Sequence, residues 1–381
     1  MKKSADAYAR AAVSKTGSLD MGKLHTYKYN DDLFKKVTTL PGATNHGMIM
    51  VLDWSGSMAD NLTGTLAQLF NLIWFCRQTK IPFEVFAFSD VYGKIPRHSP
   101  IENDKNFKAG DLEMRNINLL TMFSSKMKTD EEMTMMHNLW MVANQWQRRN
   151  WRESGCPVRF PHNLNLGGTP LNEAIVAMMD VVPKFRNDTG VQKVNTIFLT
   201  DGASNSPKGI YDYALNTDTG EHYKTTNSFP YWHHTTDIMI TDPKTNKTYK
   251  VTRRNITNKL LEILKDRVSD MNIIGFFIAG RGKSGKVDKR TLMSILRDDS
   301  LEKIMEKIKF INKENYLAID EAGYDEYYIL PGGNSLMVEN EGLSDELIGA
   351  TKAKLKSAFG KSMKNKVSSR QLLNKFVKLV A

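Results

Sequence analysis

Four nearly continuous apolar runs constrain this chain more than any other feature: residues 47–53 (GMIMVLD), 83–89 (FEVFAFS), 194–200 (VNTIFLT) and 273–279 (IIGFFIA). A strand without polar alternation has no face to show to water, so each run reads as a strand covered on both sides. Between the first two lies LTGTLAQLFNLIWFCRQ, residues 62–78, apolar on nearly every face and therefore a largely buried helix. Strand, helix, strand in that order implies parallel pairing through a right-handed crossover.

The rhythm breaks after residue 89. Residues 130–151 are rich in Met and Trp (Met133, Met135, Met136, Trp140, Met141, Trp146, Trp151). Such a stripe suits an adaptable binding surface, but it serves more often as core filler, and core packing of an inserted helix is the expectation. The α/β pattern resumes at Gly167, where Thr169 and Pro170 stand as N-cap and first helical residue of LNEAIVAMMDVV. Residues 237–251 (DIMITDPKTNKTYKV) read as a hairpin. A helix is expected over 258–269, another over 289–310 with a break at 297–300, and a last weak strand over 327–330. From residue 345 the tail is helical by pattern, with Leu372, Leu373, Phe376, Val377 and Val380 on one face.

At 381 residues the chain suits two domains or one α/β domain with large insertions. Its 41% hydrophobic content supplies a real core. No apolar run reaches the ~18 residues that a membrane span needs, and the N-terminus lacks the apolar stretch of a secretory signal. Cys76 and Cys156 are the only cysteines, which suits a reduced, cytoplasmic chain. The net charge of +11 is local: residues 351–381 hold nine basic side chains and no acid. Removing those nine from the 53 basic residues leaves 44 against 42 acids, so the globular part is nearly neutral. The tail is either a solvated helix face or a contact for nucleic acid or an acidic partner.

Five positions carry a chemistry: Asp53, Ser55 and Ser57 in DWSGS, Thr169 in GGTPL, and Asp201 in FLTDG. Asp53 and Asp201 each follow a buried strand, and ligands of an open parallel sheet gather at the C-terminal strand ends. Two carboxylates and three hydroxyls, without sulfur or imidazole, suit Mg²⁺ or Mn²⁺, then Ca²⁺, over zinc or copper. DxSxS alone is a weak signal, as is GGTP. Their joint occurrence, in this order and after these strands, is a strong one.

The set resembles the metal-ion-dependent adhesion site of the von Willebrand factor A (VWA) family, with DxSxS at Asp53-Trp54-Ser55-Gly56-Ser57, the threonine at Thr169 and the distal aspartate at Asp201. The resemblance implies an open, mostly parallel, doubly wound (Rossmann-like) α/β sheet with helices on both faces, a helical insertion and a β-hairpin insertion. It covers about residues 47–279, with insertions at 90–166 and 203–255, and places a VWA domain at 45–335 between an N-terminal extension (1–44) and a basic helical tail (336–381). It further implies a metal-dependent protein-interaction module, not an enzyme, whose cation takes an acidic residue of a partner protein. The chain is most similar in character to intracellular cobaltochelatase VWA-subunit-like proteins, including those of large tailed phages. Such proteins work beside a MoxR-type AAA+ ATPase as adaptor or substrate-recognition subunit. This chain has no GxxxxGK[ST] of its own.

Two other readings stand beside it. Nucleic-acid association would use the basic tail, where Phe359 and Phe376 interleave the charges. A metallohydrolase would need a zinc helix, and HExxH does not occur. The nearest histidines, His222, His233 and His234 near Asp237, include adjacent residues that point to opposite faces of an extended segment. No GxSxG occurs, and Cys76 falls in mid-helix.

Overall fold

A computed structural model describes residues 45–91, 117–147, 160–204, 238–252, 255–280 and 299–333, with shorter segments at 12–19, 34–39, 111–113, 208–215, 219–220, 222–228, 287 and 289–296. The chain divides into two units. One, Met1–Asn45 with Val377–Ala381, contains an antiparallel pair, β1 (Ala12–Leu19) and β2 (Phe34–Thr39). The basic tail expected over 336–381 lies outside the described residues.

The other unit, His46–Phe376, holds the remaining elements. In chain order they are β3 (His46–Asp53), α1 (Leu62–Thr79), β4 (Phe83–Ser89), β5 (Leu112–Glu113), β6 (Asn118–Ser124), α2 (Thr129–Gln147), α3 (Leu171–Thr189), β7 (Lys193–Thr200), β8 (Lys208–Leu215) and β9 (His222–Ser228). Then follow β10 (Ile238–Thr241), β11 (Thr248–Val251), α4 (Ile256–Arg267), β12 (Met271–Ala279), α5 (Lys289–Ile295), α6 (Leu301–Glu314), β13 (Leu317–Ile319) and β14 (Glu326–Pro331). The central sheet has seven strands in the order β13-β14-β12-β7-β3-β4-β6. The five inner strands pair in parallel, and the two edge strands pair antiparallel. The mixed α/β architecture with a mostly parallel sheet is therefore present.

Both faces of the sheet are covered, as the apolar runs require. Ile49, Val51, Phe86, Phe88 and Phe198 join a core with Ile175, Met178 and Val182 of α3 and Leu260, Leu261 and Leu264 of α4. The alternate residues Met50, Leu52, Ile197 and Leu199 line an apolar cavity with Leu69 and Leu72 of α1. α5 and α6 cover the β12–β14 end of the sheet, where Leu292, Ile304, Ile308 and Ile311 meet Phe277, Ala279 and Ile329. The break expected at 297–300 is the start of a new helix, since the Ser300 hydroxyl accepts from the Lys303 amide at 3.4 Å and caps α6. Gly275 in β12 is required by space. A Cβ there would stand 2.3 Å from Cδ2 of Tyr327, whose ring fills the missing side chain's place.

Inside the stretch read as an insertion, β6 adds an edge to the main sheet, and α2 packs on α1 and buries Met136, Leu139, Val142 and Ala143. Core packing expected of the Met-rich stripe holds in full only for Met136; Met133, Met135, Trp140, Met141 and Trp146 are half-buried, and Trp151 lies outside the described residues. The expected hairpin is β10–β11, antiparallel from Ile238↔Val251 to Thr241↔Thr248. Its buried Asp242 pairs with Arg267 of α4, and that guanidinium holds the carboxyl well below the usual range. The two inserted stretches also pair with each other, in a three-stranded antiparallel sheet of order β5-β8-β9 that the sequence did not announce. Among the described residues, no helix is long and apolar enough to cross a membrane.

Arg77, near the end of α1, holds β6 and α2 to the core. Its guanidinium donates to the carbonyls of Ser124 (3.2 Å), Ser125 (2.6 Å) and Met127 (2.8 Å), and to Glu132 Oε2 at 2.8 Å. It also stands 5.2 Å from the centroid of the Phe83 ring. Glu132 is only 5% exposed, so losing this partner would leave a buried carboxyl without its ion pair. Arg77→Ala is expected to destabilise the protein by about 3–5 kcal/mol, the usual cost of stranding one member of a buried pair. Urea unfolding of Arg77→Ala, Glu132→Gln and the double variant checks this. The double variant should lose clearly less than the two single losses combined.

Candidate functional site

Asp53 is the last residue of β3, and Asp201 directly follows β7. The two strands are neighbours, and from β3 the chain goes to β4 on one side while β7 lies on the other. The two carboxylates therefore flank the point where the strand order reverses. There the loops part and leave a crevice at the strand ends.

Ser55 and Ser57 enter through the turn that follows β3, where Gly56–Asp60 form a short 3-10 helix. Their hydroxyl oxygens are 3.0 Å apart, and Ser57 donates to Asp201 Oδ1 at 2.6 Å. The Thr200 hydroxyl donates to Asp53 Oδ2 at 2.6 Å. Asp53 Oδ1 is buried and finds no hydrogen-bond partner of ordinary geometry among the described residues. Asp53 is 0% and Ser55 1% exposed, Thr169 and Asp201 are half-buried, and Ser57 is exposed. The oxygens thus form a ramp from the core to solvent.

Thr169 arrives on a loop clamped against DWSGS. Gly167 forms a parallel bridge with Ser55, the Gly56 amide donates to the Gly167 carbonyl at 2.8 Å, and the Gly167 amide donates to the Trp54 carbonyl at 3.2 Å. The buried Trp54 ring donates to the Leu164 carbonyl at 2.9 Å. At its other end the loop meets Gly202, where an added Cβ would stand 3.5 Å from Thr169 Oγ1. One expectation is corrected here. The N-cap of α3 is Pro170, not Thr169, and the helix begins at Leu171. The Pro170 carbonyl accepts from the Ala174 amide at 3.0 Å, and the Ser204 hydroxyl accepts from the Asn172 amide at 2.9 Å. Because the β7 loop supplies that cap, the Thr169 hydroxyl is not spent on helix capping.

The electrostatics follow from burial. Desolvation pushes the Asp53 carboxyl up to about 7; the bond from Thr200 and the polar groups of Ser55 pull it down, and the charge of Asp201 raises it further. Asp201 is also raised by burial, against the bonds from Ser57 and Asn61. Two acids held close in a dry crevice with an unpartnered buried oxygen are a poor arrangement by themselves. They fit a small hard dication, which prefers oxygen ligands of this kind. Asp53, Ser55, Ser57, Thr169 and Asp201 are the residues that would hold it. No group of three or more His, Cys, Asp or Glu able to bind metal occurs among the described residues, so hydroxyls would complete the set.

Sequence reasoning missed three contributors: Thr200, Asn61 and Asp90. Thr200 was legible as the polar residue that ends an apolar strand. Asp90 directly follows β4, as Asp201 follows β7, and the same rule would have found it. Asn61 gave no such signal, because its partner is distant in sequence: its Oδ1 accepts from the Gly333 amide at 2.9 Å. Of the rival site residues, His233, His234 and Asp237 lie outside the described residues. Cys76 is buried 3.9 Å from the Met48 sulfur, and burial pushes its thiol up to about 12.

No family model and no curated protein matches the chain. Among solved structures it is similar to the pilus adhesin SpaC from Lactobacillus rhamnosus GG in its open conformation, at 14% identity and a TM-score of 0.33 over 72% of this chain and 30% of that one. It is also similar to proximal thread matrix protein 1 from the mussel byssus, at 14% identity and a TM-score of 0.28 over 72% of this chain and 49% of that one. The three N-terminal domains of the type V pili tip protein Mfa5 from Porphyromonas gingivalis match at 10% identity and a TM-score of 0.24, over 55% and 28%. The chain spans less than half the length of each. At such values a likeness says nothing about function.

The raised Asp53 gives a pH dependence of defined sign. Between an ordinary value of 3.8 and about 7, the folded state binds the Asp53 proton more tightly than the unfolded state does. The metal-free protein therefore loses stability as pH rises through that window, by at most roughly 4 kcal/mol. Asp53→Asn keeps the shape without the charge and should flatten that loss. Thermal unfolding at pH 5 and pH 8, in EDTA and in Mg²⁺, is the check. Mg²⁺ should raise the parent's midpoint, more at pH 8, and leave Asp53→Asn unchanged.

Proposed function

We propose that this chain is a metal-dependent protein-interaction module of the von Willebrand factor A type. The observation that carries the reading is the placement of Asp53, Ser55, Ser57 and Asp201 around the reversal point of a parallel sheet, with the Thr169 loop clamped beside them. A bound Mg²⁺ or Mn²⁺ supplies a positive docking point for an acidic side chain of a partner. Asp53 anchors the buried end of the site, and Thr200 holds one of its oxygens in place. Ser57 and Asp201 form the rim that a partner meets first, since both are less buried than Asp53. A carboxylate is the fitting visitor, because oxygen ligands that are largely neutral hydroxyls leave the cation its attraction for a further anion.

The role as adaptor or recognition subunit of a MoxR-type AAA+ ATPase rests on the family resemblance of the motifs, as does an intracellular setting. A second reading, nucleic-acid association, is favoured by one observation: nine basic residues and no acid over residues 351–381. It predicts binding that falls steeply with salt and vanishes when residues 351–381 are removed.

Affinity capture from native lysate in Mg²⁺ and in EDTA, beside Asp53→Ala and Thr169→Ala, separates the two. A partner held by the parent only with metal, and lost in both folded variants, is the expected result. Its identity tests the ATPase assignment. Equal capture in every lane refutes metal-dependent recognition.

A further inference from the structure

We propose that Asp90 is a positioning residue that sets where the Thr169 hydroxyl stands. The inference rests on the metal reading of the site. Asp90 directly follows β4, next to β3, and reaches across to the glycine pair that precedes Thr169. Its Oδ1 accepts the Gly168 amide. A Cβ on Gly167 would stand 2.4 Å from Asp90 Oδ1, and one on Gly168 would stand 2.7 Å from Oδ2. Both carboxylate oxygens therefore lie against the backbone of the pair.

The two glycines are explained by the space around them and not by their backbone angles. Neither is among the glycines with positive φ, so no left-handed conformation calls for them. At Gly168 the carboxylate alone occupies the space where a side chain would be, and at Gly167 it shares that space with Val91. Val91 closes the same space, with its Cγ2 2.7 Å from a Cβ on Gly167. The backbone of Gly167 is already tied to Trp54 and Gly56. Asp90 supplies a second restraint one residue later, and the next residue is Thr169. With Gly167 and Gly168 both fixed, the threonine enters the crevice in one place beside Gly202.

The test is Mg²⁺ titration calorimetry on the full chain, with thermal unfolding in EDTA to establish folding. Asp90→Ala should weaken Mg²⁺ binding by about tenfold or more, the usual cost of removing a group that orients a ligand. Asp90→Asn keeps an oxygen for the Gly168 amide and should stay within about threefold of the parent. Thr169→Ala removes the ligand itself, so adding Asp90→Ala to it should weaken binding no further. If Asp90→Ala does not fold, Gly168→Ala presses on the same contact from the loop side and takes its place in the cycle. Parental affinity in Asp90→Ala overturns the proposal, as does an undiminished loss in the Thr169→Ala background. A parent that binds no Mg²⁺ overturns the metal reading, and the role of Asp90 with it.

Discussion

The structure depends on one constraint: five parallel strands are buried on both faces. Such strands have almost nowhere to carry a charged side chain. Along β3 every residue from Gly47 to Asp53 is buried, and the one charge stands at the end. The same holds for β7, which ends in Thr200 before Asp201. Polar chemistry is expelled to the C-terminal edge, where loops from neighbouring strands converge. The exceptions lie at the opposite end, where Asn272 of β12 donates to Asn195 of β7 at 3.0 Å. There two amides satisfy part of each other's demand, while the charges at that end, Lys193 of β7 and Glu84 of β4, are only half-buried.

From that edge the site is assembled by backbone as much as by side chains. The turn after β3 and the glycine pair before Thr169 run side by side through a parallel bridge, like one further rung beyond the sheet. Trp54 is buried and holds the start of the same loop, while Asn118 of β6 donates to Asn163 at 3.1 Å from the sheet's edge. The edge strand and the buried indole therefore act on the site without touching its oxygens. The loop that carries Thr169 is braced by β3, by Asp90 after β4, and by β6, three neighbours in one sheet. Precision of this kind is what a ligand set drawn from distant segments needs.

Much of this was legible in the sequence, for a physical reason. The four apolar runs are the inner strands β3, β4, β7 and β12, because burial on both faces leaves a signature that no other element writes as clearly. The break near residue 300 and the β10–β11 hairpin were legible too, since capping serines and turn residues act locally. What was not legible depends on partners far away in the chain. β6 (NLLTMFS) is an edge strand beside a bulge, half covered, and it carries neither a continuous apolar run nor strict alternation. β5 and β8 have no meaning until the two inserted stretches meet. Thr169 looked like a helix cap because threonine before proline usually is one. The cap came instead from Ser204, thirty-two residues beyond Asn172 whose amide it accepts, and only the folded β7 loop shows it.

The energetics of the crevice tie its instability to its proposed use. Asp53 is fully buried, with one oxygen bonded to Thr200 and the other without a hydrogen-bond partner among the described residues. Such a carboxylate lowers the stability of the metal-free protein at neutral pH, since ionising it in a dry site is costly. The fold tolerates this because the surrounding sheet is apolar and closely packed, which is where functional sites usually keep a local liability. Under the proposed reading, ligand binding removes that cost, so part of the binding free energy is stored in advance by the folding of β3 against β7. On the same reading, that storage would make the site selective. A monovalent ion would compensate less of the paired negative charge, and a larger cation would have to spread a hydroxyl network already closed at 2.6 and 3.0 Å. The restraint on Thr169 then becomes as important as the ligands themselves, because a loose fifth oxygen would let the rim relax around any cation that arrived.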